Sequence, residues 1–239
     1  MPDYSYADPV VLAFVVIPVI LASAFVWAVF AACRRSGHRH AERVAGATAA
    51  AAGAWMAVTW VAADSGILRD WNRTPPPFGV LVLAIVALSL TIAFSDLGRR
   101  LAHFLPLWLL VGVQGFRLPL ELAMHGTYER GIMPGIMSYS GRNFDILTGA
   151  SAIIVAALLF AGHAGRRLAA AWNVLGLALV LNVVIVAILA TPRFRYFGDE
   201  NLNVWVTYPP FVWLPAVMVL AAFAGHFIVF RAIAQERTK

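Results

Sequence analysis

The residues best equipped for chemistry lie in one stretch, residues 116–145, which reads FRLPLELAMHGTYERGIMPGIMSYSGRNFD. Charged residues are scarce in most of the chain, whereas this stretch is dense in charged and polar side chains. They are Arg117, Glu121, His125, Glu129, Tyr139, Arg142, Asn143 and Asp145. Since an apolar run flanks the stretch on each side, we expect these side chains to form a site where the two runs meet.

These side-chain types suit more than one kind of site. Glu121, His125 and Asp145 are candidate catalytic residues, because a carboxyl group and an imidazole can exchange protons with a substrate. Glu121 and His125 also offer donor atoms that suit a divalent metal, although the HExxH motif is absent. The side chains predicted to bind a ligand, with the arginines holding an anionic group, are Arg117, Glu129, Tyr139, Arg142 and Asn143.

Arg117, Glu121 and His125 are spaced four residues apart, which places them on one face of a helix. An ionised side chain within a bilayer costs about 2.5–3.5 kcal/mol. We therefore expect Arg117 and Glu121 to face the protein interior and to pair with each other. The alternative is an ion pair that only holds helices together.

The backbone around these residues carries local signals of its own. Pro119 lacks an N–H group and is expected to disturb the helix by leaving the Gly115 carbonyl without its usual partner. Gly126 is expected to end the helix before Glu129. Asn143 or Asp145 is expected to cap the next helix, because either side chain can accept hydrogen bonds from free amides of its first turn.

A second pair of residues suggests a different cofactor. His163 and His226 occur in the similar segments FAGHAGRR and FAGHFIVFR, near the same end of two apolar runs. Two histidines at one depth on different helices are typical of a bis-histidine haem site. The alternative is that both rings lie at the membrane surface without a ligand. The cofactor therefore remains open between a divalent metal, haem and none.

Composition identifies the class of protein that must position these residues. The chain is 61% hydrophobic and 13% charged, with a mean hydropathy of +0.78, against about a quarter charged in soluble domains. Several apolar runs reach the roughly 20 residues that cross a bilayer as a helix. We predict an all-α, multi-pass membrane protein, a single domain over residues 1–239. Its seven transmembrane helices are predicted at residues 9–33, 44–63, 78–97, 103–126, 146–165, 169–190 and 211–230.

The connections between these runs alternate in charge, which predicts their orientation. Basic residues in short loops stay in the cytoplasm. The connections predicted to be cytoplasmic hold Arg34, Arg35, Arg39, Arg43, Arg99, Arg100, Arg166, Arg167, Arg231, Arg237 and Lys239, with the acids Glu42, Asp96 and Glu236. The opposite connections hold most of the acids, namely Asp3, Asp8, Asp64, Asp70, Glu129, Asp145, Asp199 and Glu200. The N-terminus is thus predicted outside and the C-terminus in the cytoplasm.

This charge pattern also bears on partners and location. The net charge of +6 follows from the cytoplasmic arginines and favours anionic membrane lipid as a partner, not nucleic acid. Seventeen arginines beside the single lysine, Lys239, are typical of a GC-rich bacterial genome. We therefore predict a bacterial inner (plasma) membrane protein. The only cysteine, Cys33, excludes an intramolecular disulfide.

Three functions agree with these features. The first is a polar pocket in the outer half of the bundle that binds a small amphipathic or anionic ligand, with acid–base or metal-assisted catalysis as an open question. The second is haem-based electron transfer through His163 and His226. The third is a transporter or a structural subunit of a membrane complex, in which the ion pair only joins helices.

Overall fold

The computed structural model describes residues 4–235, and every regular element among them is helical. Asp3, Glu236, Arg237 and Lys239, which contribute to the charge pattern, lie outside the described residues. The α-helices are α1 (Pro9–Arg35), α2 (Ala41–Asp64), α3 (Pro77–Phe94), α4 (Asp96–Phe104), α5 (Leu107–Gly112), α6 (Arg117–Glu129), α7 (Ile146–Phe160), α8 (Arg166–Leu189) and α9 (Leu220–Gln235). A 3₁₀ turn, Val113–Phe116, joins α5 to α6, and a π-helical segment, Leu214–Val219, precedes α9.

Six helical segments in the described part of the chain are long and apolar enough to cross a membrane. They are α1, α2, α3, the composite segment Leu107–Glu129, α8 and the composite segment Leu214–Gln235. Large apolar side chains are exposed along these helices, among them Ile20, Leu83 and Ile185. Such a surface is suited to lipid and would be unfavourable in water. The all-α prediction is confirmed, and the fold is that expected of a multi-pass membrane protein.

The predicted boundaries of the fourth span need correction. Residues 96–104 form the separate helix α4, whose first turn is capped by the hydroxyl of Ser95, which accepts a hydrogen bond from the Gly98 N–H at 3.2 Å. Leu105 then has extended backbone angles, because a residue that precedes proline avoids the α conformation. The membrane-crossing segment therefore starts at Leu107, after Pro106.

Gly126 does not end α6, contrary to the sequence prediction. The helix continues to Glu129, and Gly126 serves as a contact point with α1. A Cβ atom at this position would lie 3.0 Å from Val10 Cγ2. The glycine allows two helices to approach closely, so its role is packing and not termination.

Residues 130–145, here called the re-entrant segment, fold back into the bundle after α6. Ile132, Met133 and Met137 are buried within it. Asn143 of this segment contacts Glu121 of α6. At a rise of about 1.5 Å per residue, Glu121 lies about 12 Å along the α6 axis from Glu129, where the helix ends. The chain has thus descended well into the bundle before α7 begins. This explains why α7 has only 15 residues and is about 22 Å long.

The described helices enclose two large apolar cores and one small one, with polar residues between them. One large core contains Phe14, Met124 and Trp205, and the other contains Val29, Val111 and Ile228. Several buried polar side chains lie between members of the two large cores along the chain. We use the name polar layer for six of them: Gln114, Arg117, Asp145, Thr148, Asn173 and His226.

Candidate functional site

Asn143 is the hub of the buried polar groups around α6. Its Nδ2 donates to Glu121 Oε2 at 2.7 Å and to the Met137 carbonyl at 3.1 Å. Its Oδ1 accepts a hydrogen bond from the backbone N–H of Asp145 at 3.0 Å. Asn143 is 1% exposed and Glu121 2% exposed. One amide side chain therefore ties the re-entrant segment to α6 through donor and acceptor atoms together.

Arg117 pairs with Asp145 and not, as the spacing predicted, with Glu121. Arg117 Nη1 lies 3.2 Å from Asp145 Oδ1, a distance that supports an ion pair although the N–H groups are not aligned for a hydrogen bond to that oxygen. The same nitrogen donates to the Gly176 carbonyl on α8 at 3.4 Å. The prediction failed because the re-entrant segment brings a second carboxylate to Arg117, which helical spacing cannot reveal.

The prediction that Asn143 or Asp145 caps the next helix is only partly right. Asp145 does occupy the N-cap position of α7, but its side chain makes no capping hydrogen bond. Asn143 accepts only from Asp145 itself, before the helix starts. Both side chains are directed to α6, because Arg117 and Glu121 are buried there. A buried charged or polar group without a hydrogen-bond partner costs more free energy than an exposed amide at a helix start.

His125 forms the accessible edge of the site. Its Nδ1 lies 2.8 Å from Ser138 Oγ, and its Nε2 lies 3.6 Å from Glu129 Oε1. Its ring stacks on Tyr139 with centroids 4.4 Å apart. The side chain of His125 is 24% exposed and that of Glu129 is 64% exposed, whereas Ser138 is fully buried. His125 therefore connects the surface with the interior through one imidazole ring.

Arg142 anchors the segment through its backbone and directs its side chain elsewhere. Its carbonyl accepts a hydrogen bond from Asn182 Nδ2 on α8 at 2.8 Å. Its guanidinium lies over the ring of Phe197, 5.3 Å from the centroid. Of the predicted ligand-binding residues, Arg142 is thus separate from the buried network, while its exposed charge remains available near the surface.

The two candidate haem histidines have different environments. His226 is fully buried, with its Nδ1 2.7 Å from Asn173 Oδ1. Its ring packs on Gly176, where a Cβ atom would lie 2.6 Å from His226 Cε1. His163 is exposed in the turn that follows α7. The structure places His226 in the polar layer and leaves His163 at the surface.

Sequence reasoning missed Gln114, Thr148 and Asn173, which belong to the polar layer. Gln114 Nε2 donates to the Ala222 carbonyl on α9 at 3.3 Å. The available signal was weak, because each is a single polar residue in an apolar run, and many such residues bond only a neighbouring helix.

Glycines allow the helices to meet closely at this layer. A Cβ atom at Gly149 of α7 would overlap the backbone nitrogen of Leu118 on α6, and one at Gly225 of α9 would overlap Gln114 Nε2. These contacts bring the backbone of α6, α7 and α9 near the polar side chains. The polar layer is therefore tightly packed and lies in the interior of the bundle.

The surface has two shallow depressions that share Ile132 in their linings, and His125 lines neither of them. One has a volume of about 360 Å³ and is lined by Tyr128, Pro134 and Glu200. The other, of about 440 Å³, is lined by Tyr4, Asp8 and Arg130. Both are open to the surface.

A metal site was one of the predicted possibilities. Within residues 4–235, no group of three or more histidine, cysteine or acidic side chains is arranged to hold a metal ion. The two residues suggested as ligands, Glu121 and His125, bond to different groups, Asn143 and Ser138.

No protein-family model, curated protein or solved structure matches this chain.

Proposed function

We propose that this chain is a bacterial inner-membrane protein with seven transmembrane helices, its N-terminus outside and its C-terminus in the cytoplasm. Contacts between connections support the two faces. Arg35 donates to the Phe104 carbonyl at 2.8 Å, and Arg100 donates to Ser36 at 2.7 Å. These residues belong to the arginine-rich set that should face the cytoplasm.

The acid-rich connections also contact one another. Asp8 pairs with Arg130 at 2.7 Å, and Arg69 donates to the Thr207 carbonyl at 3.2 Å. In this topology α7 is the remaining span. It is short because the re-entrant segment occupies the outer part of its path. Irregular backbone at membrane depth is tolerated where protein surrounds it. Protein surrounds the re-entrant segment at Ser138, which is buried.

The proposed activity is binding of a small amphipathic or anionic molecule at the outer edge of the bundle. The observation that carries it is the position of His125, which is partly exposed and yet continuous with the buried groups of the re-entrant segment. The polar or anionic end of the ligand would bind at His125 and Tyr139, near the charge of Arg142. Its apolar part would pack on the exposed side chains Leu122 and Phe144.

In this arrangement the buried charges position the site and do not touch the ligand. Arg117 and Glu121 are almost completely enclosed and hold the re-entrant segment through Asp145 and Asn143. A segment fixed at both points presents Ser138 and Tyr139 to His125 in one conformation. Such preorganisation lowers the entropy lost on binding.

Acid–base catalysis is a second candidate, favoured by the contacts of the His125 ring. Ser138 lies on one ring nitrogen and Glu129 on the other, so the imidazole could transfer a proton between a hydroxyl and a carboxylate. A bound molecule chemically altered by the wild type, but not by His125→Gln, would favour catalysis over binding alone.

The binding proposal can be tested by mass spectrometry of small molecules and lipids that co-purify with the protein in mild detergent. We expect a species enriched with the wild type and reduced at least tenfold by His125→Ala. The matched control is His38→Ala, since His38 is a histidine in the arginine-rich connection at the opposite face. Equal recovery with His125→Ala, or no enriched species with the wild type, would contradict the proposal.

A further inference from the structure

The charges buried near Arg117 do not balance if all of them are ionised. Four titratable side chains meet here: Arg117 and Glu121 from α6, Asp145 from the start of α7, and His226 from α9. Each is at most 5% exposed. The facing part of α8 contributes the amide of Asn173, the backbone of Gly176 and the ring of Trp172, none of which is charged. One guanidinium therefore faces two carboxyl groups.

His226 does not supply the missing positive charge. Asn173 Nδ2 donates to the His226 carbonyl at 3.0 Å, which fixes the amide so that its Oδ1 faces the ring. Oδ1 can only accept, so the hydrogen of a neutral ring lies on Nδ1. His226 Nε2 has no hydrogen-bond partner among the described protein atoms. A second proton there would create an unpaired buried cation close to Arg117, which is unfavourable.

An unbalanced carboxylate in a membrane interior normally takes up a proton. Glu121 is the better holder of that proton, because Arg117 lies at Asp145 while the direct partner of Glu121 is a neutral amide. We propose that Glu121 and Asp145 form a buried site for one exchangeable proton, opposite the single charge of Arg117.

Unpartnered polar atoms support exchange of this proton. Arg117 Nε and Nη2 and His226 Nε2 have no partner among the described protein atoms, and all three belong to side chains that are at least 99% buried. With the hydroxyl of Thr148, these are polar atoms of the kind that hold a buried water molecule. Water held by them would let the proton exchange between the two carboxyl groups.

Infrared spectroscopy of the protein in lipid nanodiscs at pH 7 can detect the proton directly, by the carbonyl stretch of a protonated carboxyl group and its shift in D₂O. Exposed carboxyl groups are ionised at this pH. We expect one such band in the wild type. Glu121→Gln should abolish it, and the fold should survive because the amide oxygen can still accept from Asn143. The control Glu200→Gln changes an exposed acid and should leave the band in place.

The decisive variant is Asp145→Asn, which leaves Glu121 in the protein. With one carboxyl group facing Arg117, the charges balance without a proton, so the band should disappear here too. Arg117→Gln provides a second readout if Asp145→Asn fails to fold, because two carboxyl groups without a counter-charge should both be protonated and roughly double the band area. No band in the wild type, or a band that persists in Asp145→Asn, would overturn the shared-proton site. The ligand experiment does not depend on this result.

Discussion

Replacing Asn143 with alanine is the strongest single test of how the re-entrant segment is held. The change removes three hydrogen bonds, those to Glu121, to the Met137 carbonyl and from the Asp145 N–H, together with a weak 4.0 Å contact to Met124 Sδ. Each of the three bonds contributes about 1 kcal/mol, because Glu121 is neutral when it holds the proposed proton. We therefore expect Asn143→Ala to lower the free energy of unfolding by about 3 kcal/mol.

This loss is large beside the roughly 5–15 kcal/mol by which folded proteins are stable. It can be measured by equilibrium unfolding with SDS in mixed micelles, followed by tryptophan fluorescence. Trp205 is a useful reporter, because it lies in the same apolar core as Met137. The matched control is Asn201→Ala, since Asn201 also donates to a backbone carbonyl, that of Phe197 at 2.9 Å, but lies in a more exposed turn.

The comparison between the two asparagines decides the outcome. If Asn143→Ala is destabilised by less than about 1 kcal/mol, or by no more than Asn201→Ala, then Asn143 does not hold the segment. The reasoning about the candidate site would then be refuted, because the position of Ser138 and Tyr139 beside His125 depends on that connection.

Two further predictions concern other contacts of the same fold. Gly149→Ala should destabilise the protein by about 1–3 kcal/mol or more, because the added methyl group would overlap the Leu118 backbone. The control is Gly46→Ala, which has open space around it and should be neutral or slightly stabilising. Equilibrium unfolding in mixed micelles compares the two variants. A hydrogen bond from the Val10 N–H, and to a smaller extent Arg130, holds the pKa of Asp8 below its usual 3.8. The contribution of Asp8 to stability is therefore complete above about pH 4. It is lost as the pH falls through the lower pKa of the folded state. Asp8→Asn should remove that acid dependence, and a stability profile below pH 4 that is unchanged by the substitution would contradict it.

The sequence predicts the helices well because the physical signal is long and repeated. Apolar runs such as those of α1 and α8 have few alternatives to a membrane-crossing helix, and the structure has helices there. The position of a polar site around Arg117 is equally predictable, because charged residues in an apolar segment are unfavourable without partners. Local composition therefore suffices to find where the polar groups are.

Their partners could not be predicted from the same information. The four-residue spacing of Arg117 and Glu121 is real, but it shows only that they share a face. Asp145, which pairs with Arg117, is 28 positions away along the chain, and its approach depends on how the re-entrant segment folds. The role of His226 likewise depends on Asn173 of another helix. Tertiary contacts of this kind leave no periodic pattern in a single sequence.

The re-entrant segment links the two proposals physically. Ser138, in the middle of the segment, bonds to His125, and Asp145, at its end, faces Arg117. A ligand that displaces Ser138 from His125 would move backbone that also carries Asn143, which contacts Glu121. If Glu121 and Asp145 share a proton as proposed, such a movement would change how tightly it is held, because Asn143 contacts Glu121 and Asp145 faces Arg117. By thermodynamic linkage, protonation would then change ligand affinity by the same factor.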